Sequence, residues 1–162
     1  MRKSLILKLI IVLVVLAISA MSYKIYTKQL DKNRYTTISM PAFQFTNNNG
    51  SLSNQTNVKH NVPVLFIYVS PYCETCTSLL TEIRKIDNKN NLDLWIVSTD
   101  KPGAEKIKEL YPDLNNYVYS EKREGDFQTY FGSSSLSSVY IFDRQHKLKK
   151  HYVGSISPLT FL

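Results

Sequence analysis

The stretch Val64 to Ile86, VLFIYVSPYCETCTSLLTEIRKI, constrains the fold more than any other part of the chain. Val64-Leu65-Phe66-Ile67-Tyr68-Val69 is apolar and rich in β-branched and aromatic residues, the composition of a strand buried on both faces. Ser70-Pro71 ends that run, and Cys73-Glu74-Thr75-Cys76 follows. Leu79, Leu80, Ile83 and Ile86 then recur at helical spacing. The pattern predicts a buried strand, a C-x-x-C motif with Cys73 at or just before the first helical turn, and an amphipathic helix.

The only two cysteines of the chain are in this motif. A thiolate, not a thiol, attacks a disulfide, and the unpaired amides of a helix N-terminus stabilise a thiolate. Cys73 is therefore the expected nucleophile. Cys76, one turn inside the helix, is the expected resolving thiol. Zinc would need two more ligands. No further Cys exists, and His60, His146 and His151 show no ligand spacing. Haem attachment would need His after Cys76, where Thr77 stands. A purely structural disulfide closing so short a loop would stabilise little. No metal site and no cofactor is expected.

A formal charge of +7 on 162 residues invites a nucleic-acid reading, which the distribution rejects. Residues 1–28 carry five Lys/Arg (Arg2, Lys3, Lys8, Lys24, Lys28) and no acid; the remainder has fifteen against thirteen, or +2. Leu9 to Ala20 is apolar except for Ser19, and Leu5 to Leu7 extend it past Lys8. We read residues 1–23 as a membrane anchor, since a span needs about 20 apolar residues and a Lys near one end can snorkel. The rival reading is a cleaved signal peptide, with Ile18-Ser19-Ala20 a poor cleavage site. Arg2, Lys3 and Lys8 favour a cytoplasmic N-terminus, although Lys24 and Lys28 weaken the asymmetry. Both readings place the rest of the chain in an oxidising compartment.

Residues 24–40 read as a tether and 41–162 as one domain. Pro41 to Phe45 alternates, and Asn47 to Gly50 turns the chain. Ser51 to Asn61 is an edge strand or loop. Asn88 to Asn91 break the pattern before a second buried strand, Leu92 to Val97. Gly103 to Tyr111 reads as a helix with Ile107 and Leu110 inward, stopped by Pro112. Asn116 to Tyr119 offers a strand, and Asp126 to Phe131 a short helix with Gly132 as C-cap. Val139 to Phe142 is a strand turned back by Arg144-Gln145-His146 into Lys147 to Val153, whose Lys147, Lys149, Lys150 and His151 form the wet face of an edge strand. Alternating strands and helices closed by a hairpin predict an α/β domain with a central mixed sheet.

With these residues in view, the chain resembles membrane-anchored thioredoxin-like proteins of the TlpA/ResA type. The resemblance runs from Pro41 to Gly154. It rests on the apolar N-terminus, Pro41-x-Phe43-x-Phe45 with Asn49-Gly50, the strand into Cys73-Glu74-Thr75-Cys76, and Val139-Tyr140-Ile141-Phe142-Asp143 followed by Gly154. It implies a thioredoxin-like fold and thiol-disulfide exchange outside the cytoplasm. The implied partners are disulfide-containing exported proteins and a membrane thiol electron donor.

The chain departs from that pattern in several places. Tyr72 stands where the family has Trp, and Thr75 where Pro is frequent. Counting back from Asp143, the family's cis-Pro position falls on Ser137, in Leu136-Ser137-Ser138. A cis bond before a non-proline costs ~2.5–4 kcal/mol, so a trans loop of different shape is expected at the substrate-docking position, Leu136 and Ser137. The carboxylate that relatives bury near the cysteines has no match, because Ile67 and Leu79 occupy its usual places. Glu82 is the only nearby acid on the helix. The tail Ser155 to Leu162 is short for the usual last helix.

The sequence thus predicts an extracytoplasmic thiol-disulfide oxidoreductase on the bacterial inner membrane, reducing protein disulfides through Cys73 and Cys76. Tyr72, Glu74 and Thr75 tune the pair, with the charge of Glu74 raising thiol pKa and favouring the oxidised form. The alternative is a thioredoxin-like binding module, weak in exchange, that holds a metal ion or a partner protein.

Overall fold

The structure is a computed structural model that describes Ser19 and residues 38–86 and 91–154. The expected anchor, most of the tether, part of the Asn88 to Asn91 turn and the tail lie outside these residues. Among the described residues no helix is long and apolar enough to cross a membrane.

Seven strands form one mixed sheet in the order β2-β1-β5-β4-β3-β6-β7. They are β1 (Gln44–Thr46), β2 (Leu52–Asn54), β3 (Val64–Val69), β4 (Asp93–Ser98), β5 (Val118–Ser120), β6 (Ser138–Phe142) and β7 (Leu148–Val153). The helices are α1 (Glu74–Arg84), α2 (Lys101–Leu110) and α3 (Asp126–Phe131). β3, β4 and β5 are parallel and β6 runs antiparallel to β3. Their crossovers through α1 and α2 step in the same direction along the sheet, so right-handed connection puts both helices on one face.

Strand β3 is buried at all six positions, and its residues alternate in kind. Leu65, Ile67 and Val69 face an aliphatic layer with Cys76, Leu79, Leu80 and Ile83 of α1 and Ala104 and Ile107 of α2. Phe66 and Tyr68 face an aromatic layer. There Phe66 lies 4.9 Å from the Phe131 ring and Tyr68 stacks on Phe127 at 4.3 Å. Phe43 meets Phe66 and Trp95 edge-on from the start of the domain. Each fully buried aliphatic side chain contributes about 1.5–3 kcal/mol. The two layers fix β3 at the centre and so fix where α1 begins.

Most expected elements fall where the sequence places them, with three corrections. Helix α2 starts at Lys101, where Asp100 caps it by accepting from the Gly103 amide at 2.6 Å. Its inward positions are Gly103, Ala104 and Ile107, whereas Leu110 is 46% exposed rather than inward. Asn116 and Tyr117 belong to a 3-10 turn (Pro112–Tyr117) instead of the strand, which is Val118–Ser120. Finally, Lys147 and His151 are half-buried. The Lys147 ammonium donates to Ser39 Oγ at 2.6 Å, and His151 stacks on Tyr140 at 4.0 Å. Lys149 and Lys150 alone make an exposed basic edge.

Gly103 ties α2 to the turn before the cysteines. A Cβ there would lie 2.6 Å from both Asp100 Oδ1 and Ser98 Oγ and 3.3 Å from Pro71 Cδ. The missing side chain lets the Ser70-Pro71 turn pack against the first turn of α2.

Candidate functional site

The site forms where β3 ends. Chain direction reverses at Ser70-Pro71, and the Cys73 amide donates back to the Ser70 carbonyl at 3.3 Å. Cys73 is the N-cap of α1, in extended backbone at φ −104° and ψ 118°. Its carbonyl accepts from the Cys76 and Thr77 amides, both at 3.0 Å. This geometry leaves Cys73 half-buried at the helix mouth and Cys76 fully buried one turn inside, both as free thiols.

The two sulfurs differ electrostatically. Burial alone would raise the pKa of Cys73, but hydrogen bonds from the Cys76 thiol and the Thr75 hydroxyl, with the Cys76 and Thr75 amides, bring it below the ordinary thiol range. The Thr75 Oγ1 to Cys73 Sγ distance is 3.1 Å. Burial, then the hydrogen bond to Cys73, pushes Cys76 up to about 11, against the Ser70 and Ser137 amides that favour its thiolate. One thiolate is shared across the pair and resides on the outer sulfur.

The other expected residues divide into those gathered here and those standing apart. Thr75 is directly on Cys73. Glu74 is exposed in the first turn of α1, and the main influences on Cys73 are burial, Cys76 and Thr75 rather than its charge. Tyr72 is 80% exposed beside the dithiol. Leu136 is half-buried and packs on the same core as Cys76. Ser137 is fully buried and left-handed at φ +61°, and no peptide bond among the described residues is cis. Its amide donates to the Tyr68 carbonyl at 2.8 Å, its carbonyl accepts from the Gly154 amide at 3.1 Å, and its hydroxyl donates to the Gly154 carbonyl at 3.3 Å.

Ile67 and Leu79 are 0% and 1% exposed, so the aliphatic layer around Cys76 carries no acid at those places. Glu82 pairs with Lys85 on the outer side of α1. The sequence reading missed Glu121, a buried carboxylate just past β5 that meets Tyr68 in the aromatic layer. A lone acid directly after a strand is its only sequence signal.

Residues 37–160 match the Redoxin family. The chain belongs to that family. No curated protein matches this redoxin. Its fold is that of several solved structures. StoA from Bacillus subtilis is 9% identical with a TM-score of 0.58, over 75% of this chain and 94% of that one. A candidate DsbE thiol:disulfide interchange protein from Chlorobium tepidum is 19% identical with a TM-score of 0.62, over 73% and 84%. The exposed lipoprotein thioredoxin of Streptococcus pneumoniae is 17% identical with a TM-score of 0.57, over 74% and 96%. Family, thioredoxin-like fold and paired cysteines together support a thiol-disulfide oxidoreductase.

Proposed function

We propose that this redoxin is a thiol-disulfide reductase of the TlpA/ResA type, held by its N-terminal segment in the bacterial inner membrane and facing outward. The observation that carries the reading is the inequality of the thiols: Cys73 at the helix mouth with a lowered pKa, Cys76 buried and pushed up to about 11. The Cys73 thiolate attacks one sulfur of a substrate disulfide. The S–S bond breaks, the departing sulfur takes a proton, and a mixed disulfide forms. Cys76 loses its proton and attacks Cys73 Sγ, releasing the second substrate thiol. Two electrons pass to the substrate, and the Cys73–Cys76 disulfide remains.

A resolving thiol pushed up to about 11 stays protonated until the mixed disulfide forms, so Cys73 alone is available for the first attack. The substrates are disulfide-containing exported proteins, and a membrane thiol carrier restores the dithiol. The apolar run Leu9 to Ala20 behind a basic terminus supports the outward placement. So does the likeness to the pneumococcal thioredoxin, an exposed lipoprotein.

Equilibration with glutathione tests the direction. The reading predicts a reduction potential near that of thioredoxin, about −270 mV; a value near about −120 mV, as in DsbA, would make the protein an oxidant. Labelling of intact cells with a membrane-impermeant maleimide tests the placement, because inward-facing cysteines stay unlabelled.

A second reading, the binding module, draws on one observation: Ser137 keeps its amide and carbonyl bonded within the chain. Disulfide turnover barely above that of free dithiothreitol would favour it.

A further inference from the structure

Glu121 is 6% exposed and lies outside the dithiol. Three donors meet its carboxylate: the Phe127 amide at 2.5 Å, the Gly125 amide at 3.4 Å and the Tyr68 hydroxyl at 3.3 Å. A buried carboxylate is costly without such partners, so the surrounding backbone is arranged for it.

These bonds reach the segment Gly132 to Ser137 by two separate routes. The first runs through α3. That helix has a left-handed Gly125 as N-cap and no side-chain cap of its own, so Glu121 supplies the acceptor for its first amides. At its far end the Phe131 carbonyl accepts from the Tyr140 hydroxyl at 3.1 Å, and left-handed Gly132 opens the loop. The second route runs through β3. The Tyr68 ring lies flat on Phe127, with an interplanar angle of 8°. The carbonyl of the same Tyr68 takes the Ser137 amide. Both ends of the loop therefore trace to one carboxylate.

We propose that Glu121 is a positioning residue for the dithiol, holding Gly132 to Ser137 so that the Ser137 amide stays on the Tyr68 carbonyl and Leu136 stays packed on the core that carries Cys73 and Cys76. The inference rests on the exchange reading above. Losing Glu121 frees the loop at both ends. The Ser137 amide then opens from the Tyr68 carbonyl more often, and Leu136 is held less firmly on the core that carries both cysteines, so a substrate disulfide binds more weakly.

The test uses the full chain as wild type, Glu121→Ala, Glu121→Gln and Trp95→Phe. The last loses the indole bond to Asp93 at the opposite end of the sheet and serves as a destabilised control. Three quantities are read: thermal midpoint, hydrogen exchange of the Ser137 amide, and KM and kcat for reduction of insulin disulfides. Glu121→Ala speeds exchange of the Ser137 amide and raises KM, each about fivefold, the size of one hydrogen bond, while kcat stays within about twofold. Glu121→Gln, which keeps an oxygen for the Phe127 amide, falls between Ala and wild type. Trp95→Phe lowers the midpoint and moves neither of the other two. Glu121 variants that lose thermal stability but keep the wild-type exchange rate at Ser137 and the wild-type KM would overturn the proposal. Should Glu121→Ala not fold, Glu121→Gln decides. Should wild type not reduce insulin, the exchange reading fails, and hydrogen exchange of the Ser137 amide alone decides the positioning role.

Discussion

Replacing Cys73 by Ser removes disulfide exchange, a fall of more than about 10³-fold in turnover, because the other thiol, Cys76, is buried. Replacing Cys76 by Ser has a different outcome. Cys73 keeps its place at the helix mouth and the Thr75 hydroxyl at 3.1 Å, so it still attacks. The mixed disulfide then has no internal thiol to release it and persists for on the order of minutes to hours. Non-reducing gels of cells carrying Cys76→Ser show covalent adducts, those carrying Cys73→Ser show few or none, and the trapped proteins identify the substrate class. Equal trapping by the two variants would reverse or cancel the assigned roles.

Placing a proline at Ser137 destabilises this protein. Ser137 sits at φ +61°, whereas a proline ring holds φ near −65°. Proline also removes the amide that donates to the Tyr68 carbonyl at 2.8 Å. The two losses together cost about 3 kcal/mol or more. Ser137→Gly keeps the amide and suits a positive φ, so it stays within about 1 kcal/mol of wild type. Denaturant unfolding of the three proteins separates the cases. A Ser137→Pro variant as stable as wild type would mean that the loop does not depend on this backbone geometry.

The contrast between these positions shows what the sequence carries. Strand β3 and helix α1 are legible because each announces itself locally, by an unbroken apolar run and by Leu79, Leu80 and Ile83 at helical spacing. A count back from Asp143 reaches Ser137, the residue just before β6, because strand residues advance at a fixed rate. It says nothing of φ, which the Tyr68 and Gly154 contacts set from 69 and 17 residues away.

Leu110 misleads for a related reason. The buried stripe of α2 runs through Gly103 and Ala104, small residues that give little hydrophobic signal, so the larger Leu110 draws the assignment. Glu121 is illegible in a stronger sense. Its acceptors are matched by two backbone amides and a tyrosine from other elements, and only the folded chain brings them together. The short edge strand β2 is defined by pairing with β1, since Leu52–Asn54 has no strand composition of its own.

Two thiols made unequal by one helical turn carry the proposed chemistry. The direct test is alkylation of the reduced wild-type protein by iodoacetamide across pH, followed residue by residue by mass spectrometry. Cys73 is predicted to react with a midpoint below the ordinary thiol range, and Cys76 to stay unmodified until pH approaches about 11. Equal alkylation of both cysteines at every pH, or modification of Cys76 first, would contradict that chemistry.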